Sequence, residues 1–293
     1  MIYRQKVLLA LIEVFGGTLL KTDLQKLLFL FCKFSGKDHY EFFPFRYGAF
    51  SHLSYYDKKK LTKRKLLADT ENFVTGTSKS FVSALRKEDA VALREFSEKV
   101  GNIRGDNLVR MTYVEYPHYA TKSEIAARVL SNSELRTLES LRVETREEEL
   151  FTIGYEGISI DGYLDRLIEK DVRLVVDVRK NPVSRKYGFS KRRLESFLTS
   201  VGIGYSHEPE VGVASHLRRS LDSPEDSAKL FEHYAKEILP VNKPVIYRII
   251  EATKKNRRVA LTCFEADPKM CHRHKISEAI EALTSGSVHI THL

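Results

Sequence analysis

Four short groups of residues carry side chains able to do chemistry: Gly154-Tyr155-Glu156-Gly157, Asp177-Val178-Arg179, His207 through Glu210, and Cys263-Phe264-Glu265 leading to Cys271-His272-Arg273. Together they hold carboxylates, a histidine, thiols and guanidiniums, the inventory of a polar active site. Glu156 and Glu265 are the better candidates for moving protons. Asp177 stands directly before a cation-rich stretch, with seven Lys or Arg residues and no acid from Arg179 to Arg193. Cations around a carboxylate favour its charged form. That suits Asp177 to anchoring arginines, Arg179 above all, or to stabilising a cationic transition state. The loop after Pro182 contains Ser184, Arg185, Lys186, Tyr187 and Phe189. Such a mixture can neutralise phosphates while Tyr155, Tyr187 or Phe189 stacks on a base, although a solvated charged loop has the same composition.

The segment CFEADPKMCHRHK leaves three readings open. A helix starting at Cys271 and His272 would lower the thiol pKa through its dipole and make a nucleophile. Arg273 can instead grip a phosphate or carboxylate while both thiols are buried. Cys263, Cys271, His272 and His274 also have the atoms of a zinc site, but their spacing matches no standard short zinc pattern, so no metal is assigned. The turn around Glu156 lacks the GxGxxG spacing, and no Walker-type loop occurs. Nothing therefore points to ATP, GTP or NAD, and no cofactor is expected.

The elements that must position these groups come from periodicity. From FTIGY through RLVVDV, IGYSHEP and RRVALTCFE to VHITHL, strand-like runs alternate with helical ones such as DGYLDRLIEKD, KRRLESFLTSVG and HKISEAIEAL. This βα pattern predicts a three-layer α/β domain over 146–293. Strands apolar on consecutive positions, such as LVVDV and VALTC, fit a parallel sheet covered on both faces. Ligands of such sheets lie beyond the strands' carboxyl ends, so all four groups are expected to face one crevice. Ser223 before Pro224, Glu225 and Asp226 reads as a helix start, and Gly202 as a left-handed stop for the helix from Lys191.

Residues 1–145 read as mainly helical, with three-to-four spacing in VLLALIEVF and LQKLLFLFCKF, Asp23 placed to cap the second helix, a helix from Ser51, a short strand or turn region near FVTGT, and a helical region from Ser80 to Val100. Helices followed by a small hairpin suit a winged-helix arrangement. Arg136 to Leu150 is polar enough to be a connector. With 293 residues and 42% hydrophobic composition the chain can bury two ordinary cores. No apolar run is long enough for a membrane span, and the N-terminus lacks a cleavage pattern, so the expected address is the cytoplasm. Cys32, Cys263 and Cys271 make no disulfide framework. The net charge of +9, densest in KKKLTKRK (Lys58 to Lys65), favours a polyanionic partner, DNA before RNA.

GYEG, LVVDVRKNPVSRKYGFSK, GIGYSHEPEVG and LTCFEADPKMCHR resemble, in order and spacing, the prokaryotic family called domain of unknown function 488, over roughly 151–285. The resemblance implies a three-layer α/β domain in which the Asp-Val-Arg strand, the Ser184-Arg185 loop and the Cys-Phe-Glu to Cys-His-Arg segment meet at one site. It supplies no reaction. LQKLLFLF, RYGAFS and the KKKL stretch are similar to the SocA-like, or Panacea, antitoxin-type domain over about 1–125, which implies a helical interaction or regulatory module with protein or DNA as its ligand, and LVRMTYVEYPHYA resembles the segment that often precedes the second domain in two-domain relatives.

These features support three functions. A nucleic-acid-processing enzyme, in the form of a DNA glycosylase or modified-base hydrolase of phage defence, would use the basic loop for the backbone, aromatics for a displaced base, and Asp177, Glu156 or Glu265 as acid or base. A non-catalytic DNA-binding or antitoxin-like regulator needs only the cations. A rhodanese-like sulfurtransferase would use Cys263, but Glu265 and Asp267 stand where they would repel an anionic substrate.

Overall fold

The computed structural model describes residues 1–141, 145–213 and 224–293. The chain forms two compact units, Met1–Val143 and Glu144–Leu293. Among the described residues no helix is long and apolar enough to cross a membrane.

The N-terminal unit runs α1 (Tyr3–Val14), β1 (Thr18–Leu20), α2 (Lys21–Ser35), β2 (Phe43–Phe45), β3 (Gly48–Phe50), α3 (His52–Lys63), β4 (Leu67–Asp69), β5 (Phe73–Gly76), α4 (Lys87–Val100), α5 (Gly105–Glu115), α6 (Ala126–Val129) and α7 (Asn132–Ser140). Strands β1, β5 and β4 form an antiparallel sheet in that order, and β2 pairs with β3. Helix, strand, helix, helix and hairpin follow the winged-helix order, with β2–β3 inserted before α3. The core is built from α1 and α2, whose Val7, Leu8, Leu11, Leu27, Leu28, Phe29 and Phe31 are all inaccessible to solvent. Ser51 caps α3 by accepting from the Ser54 amide at 3.1 Å.

Three local expectations change. α2 begins before Asp23, which instead accepts from the Gly105 amide at 2.9 Å and so ties α2 to the start of α5. The helical Ser80 to Val100 region is divided into a short 3-10 turn, Val82–Ala84, and an α-helix that starts at Lys87. The polar Arg136 to Leu150 stretch contains the end of α7, whose start is capped by a Ser131–Glu134 box, and the start of the first strand of the next unit.

In the C-terminal unit, β6 (Glu149–Gly154), α8 (Ile160–Glu169), β7 (Leu174–Asp177), α9 (Lys191–Ser200), β8 (Gly204–His207), α10 (Pro224–His233), α11 (Leu239–Val241), α12 (Lys243–Asn256), β9 (Arg258–Cys263), α13 (His272–Leu283) and β10 (His289–His292) build a five-stranded, all-parallel sheet of order β10-β6-β9-β7-β8. Helices α12 and α13 supply Val245, Ile246, Ile249, Ile276 and Ile280 to the face bearing Leu150, Val176, Val259, Leu261 and Cys263. Alternation along each strand sends the intervening residues to the opposite face, where Tyr163 of α8 packs against Phe189. Gly202 lies just past α9 with φ +81°, the left-handed stop its position in the sequence predicts. Pro224 opens α10, whereas Ser223 and the side chains of Glu225 and Asp226 lie outside the described residues.

Candidate functional site

Asp177 is the last residue of β7 and is fully buried. Its carboxylate accepts from Arg179 Nε at 2.8 Å, from Arg179 Nη2 at 2.5 Å and from the Arg179 amide at 3.1 Å. Tyr205 Oη donates to it at 2.8 Å. The other arm of the guanidinium, Nη1, donates to Tyr155 Oη and to the Phe189 carbonyl, both at 2.8 Å. Burial alone would lower the Arg179 pKa, but the bidentate bond to Asp177 outweighs it and leaves the guanidinium more firmly protonated than usual. Burial and the Asp177 charge likewise raise the Tyr205 phenol. Asp177 therefore anchors Arg179, as its cation-rich neighbourhood suggests, and its oxygens are occupied from within the fold.

Above this network, at the carboxyl ends of β6, β7 and β9, lies a cleft of about 290 Å³ lined by Tyr155, Arg179, Lys180, Asn181, Val183, Ser184, Arg185, Val213 and Phe264. Lys180 and Arg185 are exposed, and neither meets a carboxylate among the described residues. Ser184 Oγ accepts from the Lys186 amide at 3.1 Å, which turns the loop back on itself. Phe264 stands edge-on to Tyr155 at 5.3 Å and is two-fifths exposed, forming an aromatic wall.

Several expected contacts resolve differently. Phe189 is fully buried and stacked on Tyr155 at 4.2 Å with the rings 9° apart, so it is the floor beneath Tyr155 and cannot stack on a base. Lys186 turns inward and donates to the Tyr155 carbonyl at 2.6 Å. Tyr187 packs against Phe197 and beneath Arg193. His207 Nε2 donates to the Arg179 carbonyl at 2.9 Å, which leaves Nδ1 to accept from Lys191 Nζ at 3.1 Å. Both ring nitrogens thus hold the loop, and the expected ligand contact is replaced by a positioning one. Arg273 is also fully buried; it donates to the Glu265 and Ala266 carbonyls at 2.5 and 2.9 Å and to Thr152 Oγ1 at 3.4 Å. It clamps the loop after β9 instead of gripping an anion. Glu156 is exposed, as is Glu210 of the third group, and Glu156 Oε2 accepts from the Ala266 amide at 3.0 Å.

The single crevice is the largest correction. Cys263 shares the face of Val176, which is opposite to that of Asp177. Cys263, Cys271 and His272 are buried together there, their ligand-type atoms within 4.8 Å of one another. His272 Nδ1 lies 3.8 Å from each sulfur, and the Cys263 thiol reaches Glu265 Oε2 at 3.3 Å. Cys271 does cap α13 at its N-terminus. Burial, followed by the neighbouring Cys263, nevertheless raises its pKa well above the ordinary thiol value, the reverse of the expected dipole effect. A thiol held this way is not an exposed nucleophile. Cys263 is equally buried, which removes the accessible sulfur that a rhodanese-type reaction needs. His274, the fourth residue of the zinc reading, turns away and pairs with Glu278 at 3.0 Å.

Tyr205, Lys180 and Phe264 are the site residues that motif reading misses. Tyr205 had a signal: it lies two residues before His207 on β8, so alternation puts it on the Asp177 side, opposite Val175 in the ladder. Gly154 shows why the first motif begins as it does. A Cβ there would sit 1.8 Å from the Glu265 carbonyl oxygen, so only glycine lets the end of β6 pass beneath the loop carrying Phe264 and Glu265.

Compared with protein-family models, residues 159–280 match the family described as Domain of unknown function DUF488. The match covers Asp177, Arg179 and Tyr205, the cleft loop and the thiol–imidazole cluster, and begins after Tyr155; the SocA-like resemblance of the N-terminal unit rests on its residues alone. Neither the curated proteins nor the solved structures gave a match.

Proposed function

We propose that the C-terminal unit, whose DUF488 match over residues 159–280 takes in every cleft-lining residue except Tyr155, binds a phosphate-bearing strand of nucleic acid and acts on it, with glycosidic cleavage of a modified base in DNA as the first reaction to test. The observation that carries this reading is the pair of exposed cations, Lys180 and Arg185, which meet no carboxylate among the described residues and are set with Ser184 beside the exposed edge of Phe264 over the carboxyl ends of a parallel sheet. Cations without internal partners can meet phosphate, and an exposed ring can take a base. The volume suits one nucleotide-sized group at the lower end of ligand-site sizes. Asp177 then acts through Arg179 as a positioning residue, and the exposed Glu156, just past the end of β6, is the carboxylate assigned to proton transfer.

The N-terminal unit adds a second cationic surface. Lys59, Lys60, Lys63, Arg64 and Lys65 are exposed along the end of α3 and the turn after it. Lys58 of the same run is buried and paired with Asp69 at 2.9 Å, so it contributes to folding rather than to this surface.

Binding of single-stranded and duplex DNA and RNA by the full chain, followed by fluorescence anisotropy across a salt series, tests the reading. Lys180→Ala and Arg185→Ala are each expected to weaken binding similarly across sequences and to flatten the slope of log K against log salt by about one unit. Mass spectrometry of modified and unmodified substrates then reads the chemistry, with Glu156→Gln expected to bind but give no product. Unchanged affinity and slope would remove the cleft from nucleic-acid binding. Binding without any product from the wild type would leave the non-catalytic regulator.

A further inference from the structure

We propose that Cys263, Cys271 and His272 form a zinc-binding site on the sheet face opposite the Asp177 network. Zinc bonds thiolate sulfur at about 2.3 Å and imidazole nitrogen at about 2.0–2.1 Å; a tetrahedral arrangement therefore separates S from N by about 3.6 Å. Both sulfurs stand 3.8 Å from His272 Nδ1. Each sulfur–nitrogen pair needs only a small contraction to share one ion, and all three atoms lie within 4.8 Å of one another.

The tautomer of His272 is the independent observation. Nε2 lies 2.9 Å from the Val178 carbonyl oxygen, which can only accept, so Nε2 carries the proton. The lone pair is then on Nδ1, directed between the two sulfurs. A backbone carbonyl that orients a metal-binding imidazole in this way is the usual outer-shell arrangement of zinc sites.

Charge points the same way. Two thiolates neutralise one divalent ion, so a buried dithiolate–imidazole–zinc centre carries no net charge. Glu265, which touches Cys263 Sγ at 3.3 Å, borders the site and is the candidate for the fourth ligand. Its charge would then balance Arg273, whose guanidinium is fully buried and bonded only to neutral oxygens among the described residues. Two sulfurs and one imidazole suit zinc over the hard cations, which take oxygen ligands.

The site would fasten both ends of the Cys263–Cys271 loop, from the end of β9 to the start of α13. That loop carries Phe264, so the ion would stiffen a wall of the cleft. The zinc site stands or falls independently of what the cleft binds.

The test uses the reduced full-length chain, purified without chelator. Elemental analysis should find about one zinc per chain, and reloading with cobalt(II) should give a thiolate-to-cobalt charge-transfer band. Binding should release about two protons, read by calorimetry in buffers of different ionisation enthalpy. Cys271→Ser and His272→Asn should each lose the ion at least tenfold more readily to a competing chelator, while His274→Asn and Cys32→Ala should hold it as the wild type does. If the ligand variants fail to fold, chelator treatment of the wild type is the second measurement, and it should lower the thermal midpoint reversibly. The proposal is overturned if the wild type takes up no stoichiometric zinc or cobalt, if the ligand variants retain the ion, or if Cys263 and Cys271 are found joined as a disulfide.

Discussion

Replacing Asp177 with Asn separates an anchor from a catalyst. The side chain keeps its shape but loses the charge facing Arg179, which is only 5% exposed and makes both guanidinium bonds to Asp177 inside the fold. Removing one partner of a buried ion pair leaves the other uncompensated, at a cost of about 3–5 kcal/mol. At roughly 2–4 °C per kcal/mol for a unit of this size, the melting transition of the C-terminal unit should fall by about 6–20 °C. Calorimetry of the full chain reads this directly. Adding Arg179→Met should recover a large part of the loss, because deleting both charges costs less than deleting one, and the cycle then measures the coupling. A stability for Asp177→Asn within about 1 kcal/mol of wild type would refute the anchoring argument. A double mutant as unstable as the sum of the two singles would refute it from the other side.

Gly154→Ala should destabilise by about 1–3 kcal/mol and disturb the Glu265–Ala266 loop, because its Cβ would meet the Glu265 carbonyl at 1.8 Å; denaturant midpoints check the energy. Tyr155→Phe removes one acceptor of Arg179 Nη1 and should cost roughly 1–2 kcal/mol with the ring stacking intact, measured the same way. In the N-terminal unit, burial lowers the Lys26 pKa from 10.5 to about 7, with only the Ala49 carbonyl at 2.8 Å to receive its protons among the described residues. Between those values the unfolded chain binds more protons than the folded one, so this group's contribution to stability should rise with pH from about 7 to 10.5. Lys26→Met should therefore be more stable than wild type at pH 7 and lack that rise, and a denaturant series across pH would expose the opposite trend.

Strong periodicity made the fold class and most elements legible. The βα alternation from FTIGY to VHITHL corresponds to the five parallel strands, and the apolar runs in VLLALIEVF and LQKLLFLFCKF to α1 and α2. Boundaries governed by contacts distant in sequence were not legible. Asp23 is shaped like a cap, yet its oxygen is taken by an amide 82 residues away, at Gly105. Within the site, the anchoring of Arg179 by Asp177 could be read because the two are near neighbours on a strand. The inward turn of Phe189, Lys186 and Arg273 could not, since an aromatic or cation in a loop sequence looks the same whether it faces solvent or packs beneath a neighbour.

The sequence by itself determined which chemistry is on hand: the order of the strands, the residues at their ends, and the cationic loop after Asp177. The tertiary structure alone decided which of those side chains meet. Strand order β10-β6-β9-β7-β8 brings the ends of β6, β9 and β7 side by side, while two-residue alternation sends Asp177 to one face and Cys263 to the other. Adjacency along the chain sets what a residue is next to, but the pleat of the sheet and the return of α13 set what it faces. For that reason a spacing that matches no zinc pattern in sequence converges on one point in space.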